Sequence, residues 1–173
     1  DPRLIWNTQD MATQNGGTAV QSNAGHAFIK EKMREVNAIY GGEMSAHHFF
    51  REFGYCDSGM IPWLLITEMM TNQNKSLAQL VDERIIAYPV SGEINMTVSD
   101  STEVINSVKS YFEGQDYQFD DTDGIGLSFE TWRFNIRSSN TEPLLRLNVE
   151  SRGDIQLMEE KRDLLISLIK QYC

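Results

Sequence analysis

An α/β layer domain followed by an α+β domain is the fold this sequence predicts, and three observations lead there. Short strand-like and helix-like runs alternate over residues 1–86, the pattern of an α/β layer. Tyr88-Pro89 then breaks the alternation. Over residues 87–173 the order changes to several strands gathered between two helices, which suits one sheet with both helices on one face.

Residues 3–7 read as a short strand, 8–15 as a helix stopped by Gly16-Gly17, and 18–21 as a second short strand. Residues 26–36 set Phe28, Ile29, Met33 and Val36 on one helical face. Residues 38–40 read as a strand ending at Gly41-Gly42, a pair expected to turn the backbone sharply. Residues 48–53 are extended, and Cys56-Asp57-Ser58-Gly59 leads into a helix from Met60. Met60, Trp63, Leu64, Met69 and Met70 have core-like helical spacing there. A further helix over 76–86 has Ser76 as N-cap and Leu77, Leu80, Val81 and Ile85 facing inward.

In the second part, 92–98 reads as a strand and 102–112 as a helix capped by Asp100 or Ser101. The helix over 154–172 keeps an apolar stripe of Leu157, Leu164, Leu165, Leu168 and Ile169. Asp120-Asp121-Thr122-Asp123-Gly124 resembles a metal loop only in its charge. Ile125, Leu127 and Phe129 alternate behind it as a strand, so no further oxygen ligands follow and it reads as a hairpin turn.

Composition narrows the partners. The chain has 173 residues, 40% of them hydrophobic, enough for ordinary cores. Fifteen basic against 25 acidic residues give a formal charge of −10, which argues against nucleic acid and against an anionic membrane. Arg146 and Arg152 read as solvated charges at strand ends. Cys56 and Cys173 have no framework spacing, as expected of a reduced, cytoplasmic protein. The apolar run 60–70 is interrupted by Pro62, Thr67 and Glu68 and is too short to span a bilayer.

Two loops carry the chemistry. In Gly42-Glu43-Met44-Ser45-Ala46-His47-His48, a carboxylate can accept from two neighbouring sugar hydroxyls while Ser45 donates or accepts beside it. His47 and His48 are adjacent in an extended run and so point to opposite faces, which disfavours a zinc pair; His47 is assigned to the cleft. In Arg137-Ser138-Ser139-Asn140-Thr141-Glu142-Pro143, a planar guanidinium fork precedes Ser139, Asn140 and Thr141 donors, a set suited to phosphate. A carboxylate partner, Glu142 or Glu150, is the competing use of Arg137. One loop for hydroxyls and one for phosphate suggest a phosphosugar.

These loops, with Ala24-Gly25-His26-Ala27-Phe28-Ile29-Lys30, Tyr55-Cys56-Asp57-Ser58-Gly59 and Asp123-Gly124-Ile125, resemble the α-D-phosphohexomutase superfamily, phosphomannomutase type. The resemblance implies that residues 1–86 are most of the third, α/β/α layered domain, truncated at its N-terminus. Residues 87–173 would be the fourth, a TATA-box-binding-protein-like α+β domain. It also implies that Arg3 and His26 add ligand contacts. The family reaction moves a phosphoryl group between the C1 and C6 oxygens of a hexose through a phosphoserine, here between mannose 6-phosphate and mannose 1-phosphate, in supply of GDP-mannose and surface polysaccharide. O3 and O4 nearly exchange places when the sugar turns over, so a two-oxygen acceptor such as Glu43 can hold either orientation.

Neither the family's phosphoserine loop nor its three-aspartate magnesium loop occurs in this sequence. Mg2+ is therefore expected outside this chain, no cofactor within it, and no catalysis from this chain alone. A free-standing phosphosugar-binding module, or a phosphoglucomutase of the same superfamily, remains an alternative. If domain three is truncated, the strand Leu4-Ile5-Trp6 would lose a neighbour, exposing an edge prone to self-association.

Overall fold

A computed structural model describes residues 1–139 and 143–172. Among these residues no helix is long and apolar enough to cross a membrane. The chain divides into two compact units, Asp1–Ile85 and Ile86–Cys173.

The first unit begins with a turn, not a strand. The Asp1 carboxylate accepts from the Arg3 backbone N–H at 3.0 Å and from Arg3 Nε at 2.8 Å, closing the chain around Pro2. Helix α1 (Trp6–Gln14) follows. Ile5 and Trp6 are buried, so the bare strand edge expected at residues 4–6 is absent. The strand expected over 18–21 is also absent: that stretch makes no ladder. Helix α2 (His26–Glu35) forms as the periodicity predicts, burying Ile29 and Met33 while Phe28 stays exposed.

Strand β1 (Tyr40–Gly42) lies two residues beyond its expected place, because the glycine pair belongs to the strand and not to the turn. A Cβ on Gly41 would lie 2.6 Å from Met33 Sδ and 2.8 Å from Ile29 Cγ2. The missing side chain therefore lets α2 approach the strand. Strands β2 (His48–Phe50) and β3 (Cys56–Asp57) complete a small antiparallel sheet in the order β1-β2-β3. A 3-10 turn over Arg51–Phe53 takes the rest of the extended run expected at 48–53. Phe49, Ile29 and Met33 form this unit's core cluster.

Helices α3 (Met60–Gln73) and α4 (Leu77–Ala87) depart furthest from the sequence reading. Neither buries a residue; Trp63 is 58% exposed and Leu64 57%. Met60, Met69, Leu77, Val81 and Ile85 are exposed as well, while Met70 and Leu80 are half-buried. The spacing is apolar, but a sheet of three very short strands has no face broad enough to cover two helices. Local signals still set the helix start: Gln79 N–H donates to Ser76 Oγ at 3.3 Å, and Ser76 N–H to Gln79 Oε1 at 2.8 Å, a capping box.

The second unit holds the larger core. Strand β4 (Ile94–Thr97) and helix α5 (Ser101–Tyr111) are followed by β5 (Gln118–Asp120), β6 (Ile125–Ser128), β7 (Trp132–Ser138), β8 (Leu144–Ser151) and helix α6 (Ile155–Ile169). The antiparallel sheet runs β4-β8-β7-β6-β5. Asp100 caps α5 by accepting from Thr102 and Glu103 N–H, and Asp154 caps α6 through Leu157 N–H. Trp132, Phe134 and Ile136 alternate with Leu145, Leu147 and Val149 on the face covered by the helices, with Val104, Val108, Met158, Leu165 and Ile169 packed against them. The other face of β7 and β8 carries Arg133, Asn135, Arg137, Arg146, Asn148 and Glu150. Asp120 Oδ1 accepts from Thr122 N–H at 3.1 Å and Thr122 Oγ1 at 2.6 Å, closing the turn between β5 and β6.

Candidate functional site

In the first unit the loop expected from the sequence to meet sugar hydroxyls is the hairpin turn between β1 and β2. Glu43 N–H donates to the His47 carbonyl and Ala46 N–H to the Glu43 carbonyl, both at 3.0 Å, with Ala46 in the left-handed region at φ 64°. Five residues, Glu43 to His47, therefore present Glu43, Ser45 and His47 from one hydrogen-bonded turn. Glu43 Oε2 accepts from Gly25 N–H at 3.2 Å, which fixes the carboxylate at the N-terminal end of α2, a favourable place for negative charge. Ser45 Oγ lies 3.5 Å from the same oxygen. Glu43 Oε1 is buried and has no hydrogen-bond partner among the described residues. An acceptor held in place with a lone oxygen unsatisfied is suited to a hydroxyl donor from outside the chain.

His47 is held by a residue the sequence reading did not assign. Its Nδ1–H donates to Asp57 Oδ2 at 2.7 Å, and Asp57 Oδ1 accepts from His48 N–H at 2.9 Å. A carboxylate accepts only, so the proton sits on Nδ1 and Nε2 is left for a ligand. The hydrogen bond to Asp57 and its negative charge, with a smaller contribution from Glu43, raise the His47 pKa above its ordinary value. The same hydrogen bond, with that from the His48 backbone, lowers the pKa of Asp57. His48 takes the other face, its Nδ1 2.7 Å from the Tyr40 hydroxyl. The pairing Phe49↔Asp57 across β2 and β3 brings Asp57 to His47, and only knowledge of that register would have found it.

Arg3 and His26 are placed differently. Arg3 is buried and ion-paired with Asp1, whose carboxylate also accepts from Met44 N–H at 2.9 Å. Arg3 thereby ties the chain's first turn to the Glu43 loop. His26 is the first residue of α2 and is exposed, beside the Gly25 N–H that holds Glu43. A cavity of about 580 Å³ lies between α1, residues 17–21 and β1. Its walls combine Leu4, Ile5, Val20 and Ile39 with Asp1 and Glu43, so the cavity reaches the Glu43 loop.

In the second unit Arg137 lies near the end of β7, and Ser139 N–H donates to the Leu144 carbonyl at 2.8 Å, closing the base of the following loop. Asn140 and Thr141, assigned to phosphate from the sequence, lie outside the described residues. Of the two carboxylates expected to compete for Arg137, Glu142 lies outside the described residues and Glu150 is engaged elsewhere. Arg137 Nη2 is 3.7 Å from Glu93 Oε2 and its Nη1 3.8 Å from Asp123 Oδ2. Glu150 is committed to Arg133 at 2.8 Å, both side chains being buried. Arg146 is not a solvated strand end: it is half-buried within β8, opposite Arg137, with Nη1 3.5 Å from Glu93 Oε1. Two guanidinium groups thus share one strip of sheet, and the Nε of each is buried without a partner among the described residues. Arg152 instead lies 6.0 Å from the Tyr88 ring centroid.

Asp120 is occupied with Thr122, and among the described residues no group of three His, Cys, Asp or Glu side chains gathers to hold a metal. The described residues therefore do not fit a magnesium site.

Comparison with known proteins identifies the family to which both units are similar. Residues 2–88 match the family model described as phosphoglucomutase/phosphomannomutase, alpha/beta/alpha domain III, and residues 93–166 match the C-terminal domain of the same family. The chain is 56% identical over 171 residues to the phosphomannomutase of Escherichia coli K12, covering 99% of this chain and 38% of that protein. It is 55% identical over 170 residues to the phosphohexose mutases of Xanthomonas campestris strain B100, covering 98% of this chain and 38% of theirs. The chain thus spans about 38% of the length of these curated relatives. A solved phosphoglucomutase/phosphomannomutase family protein from Burkholderia thailandensis shares the fold with a TM-score of 0.75, covering 95% of this chain and 35% of that one at 24% identity.

Proposed function

Because the chain belongs to the phosphoglucomutase/phosphomannomutase family, we propose that it is the substrate-holding part of a phosphomannomutase that interconverts mannose 6-phosphate and mannose 1-phosphate. Glu43 carries this reading. Its Oε2 is tied to Gly25 N–H and its buried Oε1 has no partner among the described residues, so the carboxylate is preorganised to accept from a sugar hydroxyl. Ser45 adds a second hydroxyl contact, and His47, its Nδ1 engaged by Asp57, offers Nε2 as a donor when protonated. His26 completes this side from the start of α2, while Arg3 acts on it through Asp1.

Arg137 and Arg146, with the Ser139, Asn140 and Thr141 donors, hold the phosphate that is not reacting. Hydroxyl reading by Glu43 with Ser45 is insensitive to a turnover that exchanges O3 and O4. Phosphate reading is insensitive to which sugar carbon bears the ester. Together these properties suit a substrate that must be held twice, once in each orientation. The serine that carries the phosphoryl group and the Mg2+ that neutralises it belong, in this proposal, to domains outside this chain. The enzyme would act in the cytoplasm, in supply of GDP-mannose.

An NMR titration of the 173-residue chain with mannose 1-phosphate, mannose 6-phosphate and inorganic phosphate tests this. Both sugar phosphates are expected to shift Glu43, Ser45 and His47 as well as Arg137 and Ser139, while phosphate moves only the second set. Sugar phosphates that leave Glu43 and His47 unmoved would overturn the hydroxyl-site assignment.

A further inference from the structure

The arginine pair carries an inference that rests on the phosphate reading above. The register Arg137↔Arg146 sets two like charges directly opposite one another on one sheet face, an arrangement that is unfavourable by itself. Glu93, the residue before β4, lies across both. Each of its carboxylate oxygens faces one guanidinium, at 3.7 Å for Arg137 and 3.5 Å for Arg146. Asp123 approaches Arg137 from the turn before β6 at 3.8 Å. These separations exceed the roughly 2.7–2.9 Å of a charge-assisted hydrogen bond. The carboxylates therefore compensate charge without occupying the forks. The unpartnered Nε of each arginine marks the donor capacity that remains.

We propose that Glu93 is an internal counter-anion which competes with the phosphate group of the substrate for Arg137 and Arg146, and so weakens the hold of this site on phosphate. Two guanidinium and two carboxylate groups sum to zero, so a phosphate dianion enters a neutral cluster rather than a cationic one. The anion must move Glu93 aside or bear its repulsion. A site that grips phosphate, releases it while the sugar turns over and grips the other end gains from such a competitor. Without it, the arginine pair would hold the first phosphate too long. Glu93 thereby sets the rate of release, while the arginines set recognition.

The test is the dissociation constant for inorganic phosphate, read from the Nε–H resonances of Arg137 and Arg146 in the whole chain. Glu93→Gln is expected to bind phosphate roughly five- to tenfold more tightly, the effect of removing one like charge near a dianion in a half-exposed site. Asp123→Asn, which removes the more distant carboxylate, is expected to tighten binding by a smaller factor, and carries the test if Glu93→Gln does not fold. Unchanged or weaker binding in the variant would make the carboxylate a positioning partner of the arginines and overturn the proposal, leaving the phosphate site intact. If neither the parent chain nor the variant binds phosphate at these resonances, the phosphate reading falls as well.

Discussion

Gly124 is where a single added methyl group should reach from the fold into the candidate site. It lies in the turn before β6 with φ +75°, where a Cβ would lie against the Ile136 carbonyl oxygen and 2.7 Å from Arg137 Cα. Both neighbours are backbone of β7, so no rotamer change makes room. Gly124→Ala therefore meets two costs: about 1–2 kcal/mol for a non-glycine residue in the left-handed region, and about 1–3 kcal/mol for overpacking. Gly153 in the same unit has φ +66° and nothing within 4 Å of its Cβ position, so Gly153→Ala meets only the first cost. Urea unfolding of the two variants separates the effects. With slopes of about 1–3 kcal/mol per molar, the Gly124→Ala midpoint should fall roughly 1 M below that of Gly153→Ala, and phosphate binding at Arg137 should weaken in parallel. Coincident midpoints would refute the argument, because the clash would then have relaxed at no cost.

Three further outcomes follow from the geometry. Asp57→Asn should lower the titration midpoint of His47, followed by NMR, because the hydrogen bond and charge that raise it are removed. The His47 contribution to stability is complete below the unfolded value of about 6.5, is lost as pH rises through the raised folded value, and disappears in Asp57→Asn. Glu150→Ala should cost about 3–5 kcal/mol in denaturant unfolding, because it strands the buried charge of Arg133. Arg133→Met with Glu150→Leu should recover most of that loss, and a single variant as stable as the parent would show the pair to be solvated.

Sequence was most legible where a local signal and the tertiary role coincide. Helix α5 announces itself through Asp100, and α6 through Asp154 and a stripe that faces its sheet. The first turn is not legible, because Leu4, Ile5 and Trp6 look strand-like until Asp1 folds back onto Arg3. The apolar spacing of α3 is real, but spacing cannot say whether a sheet exists to receive it. At the site, Glu43, Ser45 and His47 share one turn and could be read together. Asp57, Arg146 and Glu93 could not: each reaches its partner across strands, and pairing register is invisible to a reading along the chain.

The strand order of the second unit has a kinetic consequence. Strands β5 to β8 pair with successive neighbours, whereas β4 pairs only with β8, across helix α5 and three intervening strands. Local hairpins close before distant ones, so β4 is expected to dock last. Glu93 immediately precedes β4 and arrives with it. Until then the β7–β8 hairpin carries Arg137 opposite Arg146 without that carboxylate. Added salt should therefore speed refolding of this unit by screening the arginine pair, and Arg146→Ala should abolish the acceleration. The strand that completes the sheet is also the one that discharges it.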